Sequence, residues 1–334
     1  MPCVTSGIAN TYTNTEEKVL IMNKMLFVFN PNSGKAQIKN VLMRIIQIFS
    51  EAEYEVVVYP TKAPLDGYNH IIESEGKYDV IVCSGGDGTL NETVGAILKY
   101  KGKKPPIGYI PSGTTNDFAT SLNIPKDMIR AAQHIAKGSR QKCDIGLADG
   151  KRSFNYVAAF GAFTEVSYET PQSLKNILGH QAYVLEGLKS LMALKPYYVR
   201  VKTKDRSIEG SFIYGMVSNT ESVGGMKGLV GTGIDLQDGL FEVTLIKEIR
   251  SPIDFQQIVN AILAQSYDNC DMVYSFKTDK IEIECAEEVS WTLDGEFGGE
   301  HKRVVYEVIP GAVDFLVKKR KPNPKILKKV KMNE

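Results

Sequence analysis

No stretch of this 334-residue chain approaches the roughly 18 apolar residues in a row that mark a membrane-spanning helix. Cysteine is sparse and scattered: Cys3, Cys83, Cys143, Cys270 and Cys285 form no CxxC pair and are odd in number. That pattern excludes a zinc-ribbon site and a disulfide framework, and it fits a reduced, cytoplasmic compartment. The four histidines (His70, His134, His180 and His301) show no metal-ligand spacing. Also missing are a Walker A GxxxxGK[ST] and a GxGxxG after the first strand, so any nucleotide must be held in another way. The first 22 residues lack the basic start and apolar block of a secretory signal; they read as a disordered leader, or as sequence upstream of a start at Met22 or Met25.

Charge is nearly balanced overall at +1, but unevenly placed. The last 17 residues, KKRKPNPKILKKVKMNE, hold eight Lys/Arg against one Glu, or +7, which leaves −6 on the other 317. Such a run is either a solvated end or a tether to an anionic membrane surface, each basic residue near the lipid contributing about 1 kcal/mol. Nucleic acid fits less well, because the tail has no aromatic residue to stack on bases and the body is acidic. The basic tail is taken as residues 321–334.

The first half alternates apolar runs with helical periodicity. KMLFVFN, YEVVVY, YDVIVCS and IGYI read as strands; between them lie a helix with Ile38, Val41, Leu42, Ile45, Ile46 and Phe49 on one face, a segment near 66–75, and LNETVGAILKY. Continuous Val/Ile strands between helices predict a parallel sheet covered on both faces. From about residue 143 alternating strands dominate: SFNYVAA, YYVRVKTK, SFIYGMVSN, LFEVTLIK, DKIEIECA, EVSWTL and RVVYEVI, interrupted by helical stretches near 174–194 and 252–265.

Three polar, glycine-containing loops follow strands at one edge of that sheet: NPNSGKA (30–36), SGGDGTLNE (84–92) and PSGTTNDFA (111–119). In open α/β sheets this edge binds ligands. In SGGDGT, Gly85, Gly86 and Gly88 permit positive φ and let a phosphate approach bare backbone at a helix N-terminus. Asp87 would repel a phosphate unless a cation lay between them, and Mg²⁺ prefers carboxylate and phosphate oxygens. Thr89 or Asn91 could cap the helix. A tight strand-to-helix turn with an incidental aspartate is the plainer alternative.

Together these three loops resemble the catalytic domain of the diacylglycerol kinase family, in its soluble bacterial branch. SNTESVGGMKGL followed by DLQDGLFEV is similar to that family's metal and lid region, and WTLDGE to its catalytic motif, so the likeness spans roughly residues 24–318. The resemblance implies an α/β nucleotide-binding domain of the NAD kinase/diacylglycerol kinase type plus a β-sandwich-like second domain, with the active site in the interdomain cleft. The boundaries it suggests are 23–143 plus about 309–320 for the ATP-binding domain and 144–308 for the β-rich lipid-substrate domain. It also implies ATP contacts from Asn30, Pro31, Asn32, Ser33, Gly34, Thr61, Gly85, Gly86, Asp87, Gly88, Thr89, Thr114 and Asn116. Mg²⁺ would be held by Asp238, by Asp235 and Leu240 through their carbonyls, and by a network of Asp87 and Asp117. Glu296 would take the acceptor's hydroxyl proton, with Asp294 orienting or relaying. Two residues apart on an extended segment, this pair would share a face, and neighbouring carboxylates raise one pKa. The chain departs from the family's usual G-x-G-x-D-A after FNYVA: Ala159 replaces a glycine and Phe163 stands at the aspartate position, while Phe160 and Phe163 read as core aromatics.

The expected function is ATP- and Mg²⁺-dependent phosphorylation of a membrane-lipid hydroxyl, diacylglycerol by default, by a cytoplasmic protein peripherally associated with the membrane. Alternatives are an NAD kinase, which shares GGDGT, and a non-catalytic lipid- or nucleotide-binding regulator of the same fold. A homodimer is a further expectation from the resemblance.

Overall fold

The computed structural model describes residues 22–34, 36–161, 195–220, 223, 234–267 and 270–318. The leader, Phe163, the helical stretch near 174–194, most of the lid-like segment and nearly all of the basic tail fall outside these residues.

The first half builds β1 (Asn23–Phe29), α1 (Ile38–Glu51), β2 (Tyr54–Pro60), α2 (Asp66–Glu73), β3 (Val80–Gly85), α3 (Asp87–Leu98), β4 (Ile107–Pro111), α4 (Asp117–Ser121) and α5 (Met128–Ala136). β2, β1, β3 and β4 are parallel neighbours in that order. The β3 residues VIVCSG are all buried, as expected for a central strand covered on both faces. α1 buries Ile38, Ile45, Ile48 and Phe49, the 3.6-residue periodicity its sequence carries.

The second half comprises β5 (Ser139–Ala148), β6 (Arg152–Phe154), β7 (Val157–Gly161), β8 (Tyr197–Lys202), β9 (Ser207–Ser218), β10 (Phe241–Lys247), α6 (Pro252–Ala264), β11 (Val273–Thr278), β12 (Lys280–Leu293) and β13 (Glu296–Val317). α6 opens on a capping box, Ser251 with Asp254, and Pro252 at its start. DKIEIECA and EVSWTL form one strand, β12, whose pairing with β13 shifts register between Glu284 and Val289. β5 and β11 are not among the strands legible in the sequence.

β13 joins the halves. Its first part pairs with β12, its last part with β5, and Phe315 lies beside Ile107 of β4 in parallel register. One sheet therefore runs β11-β10-β9-β7-β12-β13-β4-β3-β1-β2 through the whole molecule. A second apolar cluster centres on Trp291, Phe160, Phe154 and Tyr306; the Phe160 and Trp291 rings stand 4.9 Å apart, tilted edge to face. Gly215 of β9 lies directly against the Phe160 ring, where a Cβ would collide with it. Gly215→Ala should accordingly destabilise the fold by about 1–3 kcal/mol through overpacking; urea unfolding of the two proteins measures it, and an unchanged midpoint would contradict this packing.

Candidate active site

The parallel strand order stitches the three sequence loops together by backbone bonds. Asn30 N–H donates to the Ser84 carbonyl at 2.9 Å, Thr61 N–H to Phe29 at 2.9 Å, and Ser112 N–H to Gly85 at 2.9 Å. The glycines are required by crowding rather than by positive φ. Of the four in these loops that face a neighbour closely, only Gly34 has a left-handed φ, +56°; there a Cβ would strike the Ser112 carbonyl. A Cβ on Gly113 would lie 2.6 Å from Gly86 Cα, so the second and third loops touch backbone to backbone. A Cβ on Gly88 would lie 2.8 Å from Glu296 Oε1.

The helix begins earlier than its composition suggests. α3 starts at Asp87, with Gly86 as N-cap and no side-chain cap. Neither Thr89 nor Asn91 caps it: the Thr89 carbonyl accepts from Thr93 Oγ1, and Asn91 Nδ2 reaches across to Asp294 Oδ2 at 2.7 Å. No side chain at the N-cap thus closes the first turn of α3.

The DGE segment also departs from the extended geometry its spacing suggests. Leu293 pairs with Glu296, and Asp294 (φ +53°) and Gly295 (φ +82°) form the two-residue hairpin turn between β12 and β13. The turn sends the two carboxylates apart. Asp294 is buried and accepts four hydrogen bonds, from Asn155 N–H (2.6 Å), Tyr156 N–H (2.9 Å), Val157 N–H (3.1 Å) and Asn91 Nδ2 (2.7 Å). Burial raises its pKa and those bonds oppose the rise. Glu296 is exposed and faces the glycine turn.

A cavity of about 520 Å³ opens at this edge, lined by Asn30, Asn32, Ser33, Thr61, Gly86, Gly88, Thr89 and Glu296 among the sequence-selected residues. That volume is ordinary for a cofactor-sized ligand. Lys62, which carried no motif signal, and Glu92, which closes SGGDGTLNE but was given no role there, also line it. Pro31 and Gly34 sit in the first loop, and Gly85 ends β3 beneath the turn. Thr114 is exposed in the third loop. Asn116 turns inward: its Oδ1 accepts from Gly113 N–H (3.1 Å) and Tyr109 Oη (3.2 Å), and its Nδ2 donates to the Gly113 carbonyl (2.8 Å). It therefore shapes the loop from within.

Behind the cavity lie Asp87 and Asp117, close enough to repel. Burial, then Asp117, then Asp294 push the Asp87 carboxyl up to about 6, against hydrogen bonds from the Asp117 and Phe118 N–H groups. Asp87 Oδ1 is buried without a hydrogen-bond partner. The 235–240 loop makes contacts of its own. Asp235 Oδ1 accepts from Gln237 N–H at 3.1 Å, and Asp238 Oδ1 from Leu240 N–H at 3.0 Å. The Lys277 ammonium lies between Asp238 (2.8 Å) and Glu242 (2.9 Å). Asp144, which sequence reasoning missed, pins the loop by accepting from Gly239 N–H and Gly311 N–H, both at 2.7 Å. Among the described residues no group of three or more His, Cys, Asp or Glu is arranged around a metal position.

The sequence profile of the diacylglycerol kinase catalytic domain matches residues 24–148, and that of the YegS C-terminal NAD kinase beta sandwich-like domain matches 159–317. A diacylglycerol kinase of Bacillus subtilis is 32% identical over 280 residues, 83% of this chain and 91% of that protein. One from Staphylococcus epidermidis is 33% identical over 276 residues, covering 82% and 85%. The chain belongs to the diacylglycerol kinase family. As such it is a phosphotransferase with an alcohol group as acceptor. The crystal structure of a diacylglycerol kinase from Bacillus anthracis superimposes with a TM-score of 0.71 over 92% of this chain and 99% of that one, at 22% identity, which extends the likeness of fold to both halves.

Asp87 also carries a pH signature. Its folded pKa lies above the ordinary 3.8, so its contribution to stability is complete below pH 4 and is lost as pH rises from about 4 to about 6. Without divalent ions, Asp87→Asn should be more stable than the parent at pH 7.5 by about 1–3 kcal/mol, and the gap should close near pH 4. Melting curves at the two pH values measure this; a variant less stable at pH 7.5 would show that the buried Asp87 carboxylate is not a destabilising group.

Proposed function

We propose that this chain is an ATP- and Mg²⁺-dependent lipid kinase that transfers the γ-phosphoryl group to a hydroxyl of a membrane lipid, with diacylglycerol the first acceptor to try. The observation that carries this reading is the placement of Glu296 opposite Gly88. It sets a carboxylate at the mouth of an uncapped helix N-terminus inside a nucleotide-sized cavity. Phosphoryl transfer asks mainly for positioning and charge neutralisation. The bare backbone of 85–88 and the Ser33 and Thr89 hydroxyls would hold the polyphosphate.

In the reaction the lipid hydroxyl oxygen forms a bond to the γ-phosphorus, the bond from that phosphorus to the β–γ bridging oxygen breaks, and ADP leaves. The hydroxyl proton passes to Glu296, which is solvent-exposed and can return it to water. Asp294 is read as a positioning residue. Its carboxylate is fully engaged by four donors, and it holds the turn that aims Glu296.

Asp87 and Asp117 suit a hard divalent ion, since Asp87 Oδ1 is buried and unpartnered and the two carboxylates repel without one. Bound there, Mg²⁺ would supply positive charge against the phosphate oxygens. At the 235–240 loop Lys277 already provides a positive charge, and Asp238 would have to release it to take a metal.

No helix among the described residues is long and apolar enough to cross a membrane. A lipid substrate therefore calls for contact with a bilayer surface, and the basic tail is our candidate for that contact. Two experiments test these readings. Glu296→Gln should lower labelled-phosphate transfer from ATP to a total lipid extract by about 10²–10⁴-fold while leaving ATP binding intact; undiminished turnover would remove Glu296 as the base. Removal of residues 318–334 should weaken binding to anionic vesicles at moderate salt without affecting ATP binding, and equal vesicle binding would rule out the tether.

A further inference from the structure

α3 works on two faces. Gly88, Thr89, Glu92 and Thr93 line the cavity. Asn91 and Gly95, four residues apart on the helix, look toward β6 instead. Asn91 Nδ2 donates to the Ser153 carbonyl at 3.4 Å, and a Cβ on Gly95 would lie 3.5 Å from Ser153 Oγ. The same Nδ2 donates to Asp294 Oδ2 at 2.7 Å. Both partners are acceptors, so the amide nitrogen is the atom turned toward them. The helix that opens with the glycine turn is thereby joined, within its next turn, to the hairpin turn that carries Glu296.

The four donors to Asp294 differ in origin. The N–H groups of Asn155, Tyr156 and Val157 belong to the β-rich half, as does the Val157 carbonyl that accepts from Asp294 N–H at 2.8 Å. These bonds hold the turn to its own half whatever α3 does. Asn91 is the donor from the nucleotide half. A hydrogen bond to a buried carboxylate is charge-assisted and short, so it fixes a distance well. β13 brings the hairpin to the site, and the Asn91 bond sets how close its tip stands to α3. Small errors at that point matter, since a misplacement of about 1 Å can slow a reaction by about 10²-fold.

We propose that Asn91 is a positioning residue for phosphoryl transfer: as the clasp between α3 and the Asp294 turn, it fixes the distance between a phosphate held at the start of α3 and the Glu296 carboxylate. This rests on the reading of Glu296 as the base and adds the residue that sets its place against the glycine turn. A neutral donor is what the position asks for. A lysine would also hold Asp294, but it would bring a positive charge to the neighbourhood of Asp87 and compete there with a divalent ion. An aspartate would set one carboxylate against another. Asn91 is not part of the cavity lining, so it acts on turnover without touching the nucleotide.

The test compares the full chain with Asn91→Ala and Asn91→Asp in three measurements: labelled-phosphate transfer from ATP to a total lipid extract, ATP binding, and amide hydrogen exchange. Asn91→Ala should turn over about 10–10²-fold more slowly at saturating ATP, yet bind ATP within about threefold of the parent. Exchange should quicken by about threefold or more across residues 295–299, while the 155–157 amides stay protected by their bonds to Asp294. Asn91→Asp keeps the shape of the side chain. Near pH 8 its carboxylate would repel Asp294, and it should be as slow as the alanine variant. Toward about pH 5.5 a proton shared by the two carboxyls restores an O–H donor, and the rate relative to the parent should rise by about threefold or more. Asp87 on α3, Asp117 on α4 and the Tyr156 phenol also act on this pair. They are present in each protein, so the ratio to the parent isolates the new carboxyl. An undiminished rate in Asn91→Ala, a rate ratio for Asn91→Asp that does not move with pH, or a loss of ATP affinity and of 155–157 protection in step with the rate would each overturn the assignment; the last would show that Asn91 serves folding alone. Failure of the underlying function looks different: the parent would label no lipid, and exchange would then decide, with unchanged values at 295–299 in Asn91→Ala sinking the clasp.

Discussion

The architecture of the site depends on the carboxylate of Asp294. It accepts from the backbone of residues 155–157 at the start of β7, from Asn91 on α3, and sits in the turn between β12 and β13. Three segments remote in sequence meet on one buried charge, one from the nucleotide half and two from the β-rich half. A buried carboxylate is tolerable only when its lone pairs are satisfied, and here four donors converge on it. The result is a rigid turn whose next residue but one, Glu296, is set opposite Gly88. The hydrogen bonds among these segments thus set where the Glu296 carboxylate stands, and in the proposed reaction that would fix the place of proton transfer.

That arrangement leaves a second electrostatic problem, and the problem is useful. Asp87 lies at the start of α3, where the helix dipole favours negative charge, yet its burial, and then the nearby Asp117 and Asp294, raise its pKa. Native proteins hold such strain where function needs it. A divalent ion against Asp87 and Asp117 would relieve the repulsion and draw phosphate oxygens to the same place.

Local patterns in the sequence were informative where one element determines the outcome. Parallel strands read from Val/Ile runs, the face of α1 read from periodicity, and the convergence of three polar loops all depend on short-range order and on the rule that strand ends bind ligands. The reasons for the glycines were not legible in that way. Gly113 is small because the Gly86 backbone approaches it, and Gly88 faces Glu296, contacts between residues 27 and 208 positions apart. Asp294 and Glu296 look like one period-two pair until the hairpin turn with two positive φ values separates them. Asp144 and Lys277 carry no motif; their contacts with Gly239 and Gly311, and with Asp238 and Glu242, are brought about by tertiary packing.

β13 explains why these long-range placements can be accurate. A single 22-residue strand carries Glu296 at one end and, near the other, Phe315 paired with β4 in the nucleotide half. Between them the register shifts twice against β12 and once against β5; the last shift lies around Gly311 at φ +55°, where Asp144 accepts the glycine N–H and ties the bend to Gly239 of the 235–240 loop. A base delivered on a mobile linker would have to be ordered at each turnover; one built on a strand shared by both halves has that cost removed in folding. Because the sheet is continuous through both halves, the strand that carries Glu296 past the glycine turn is positioned by the core, and in the proposed reaction the ligands would bring phosphate, metal and hydroxyl to a geometry already in place.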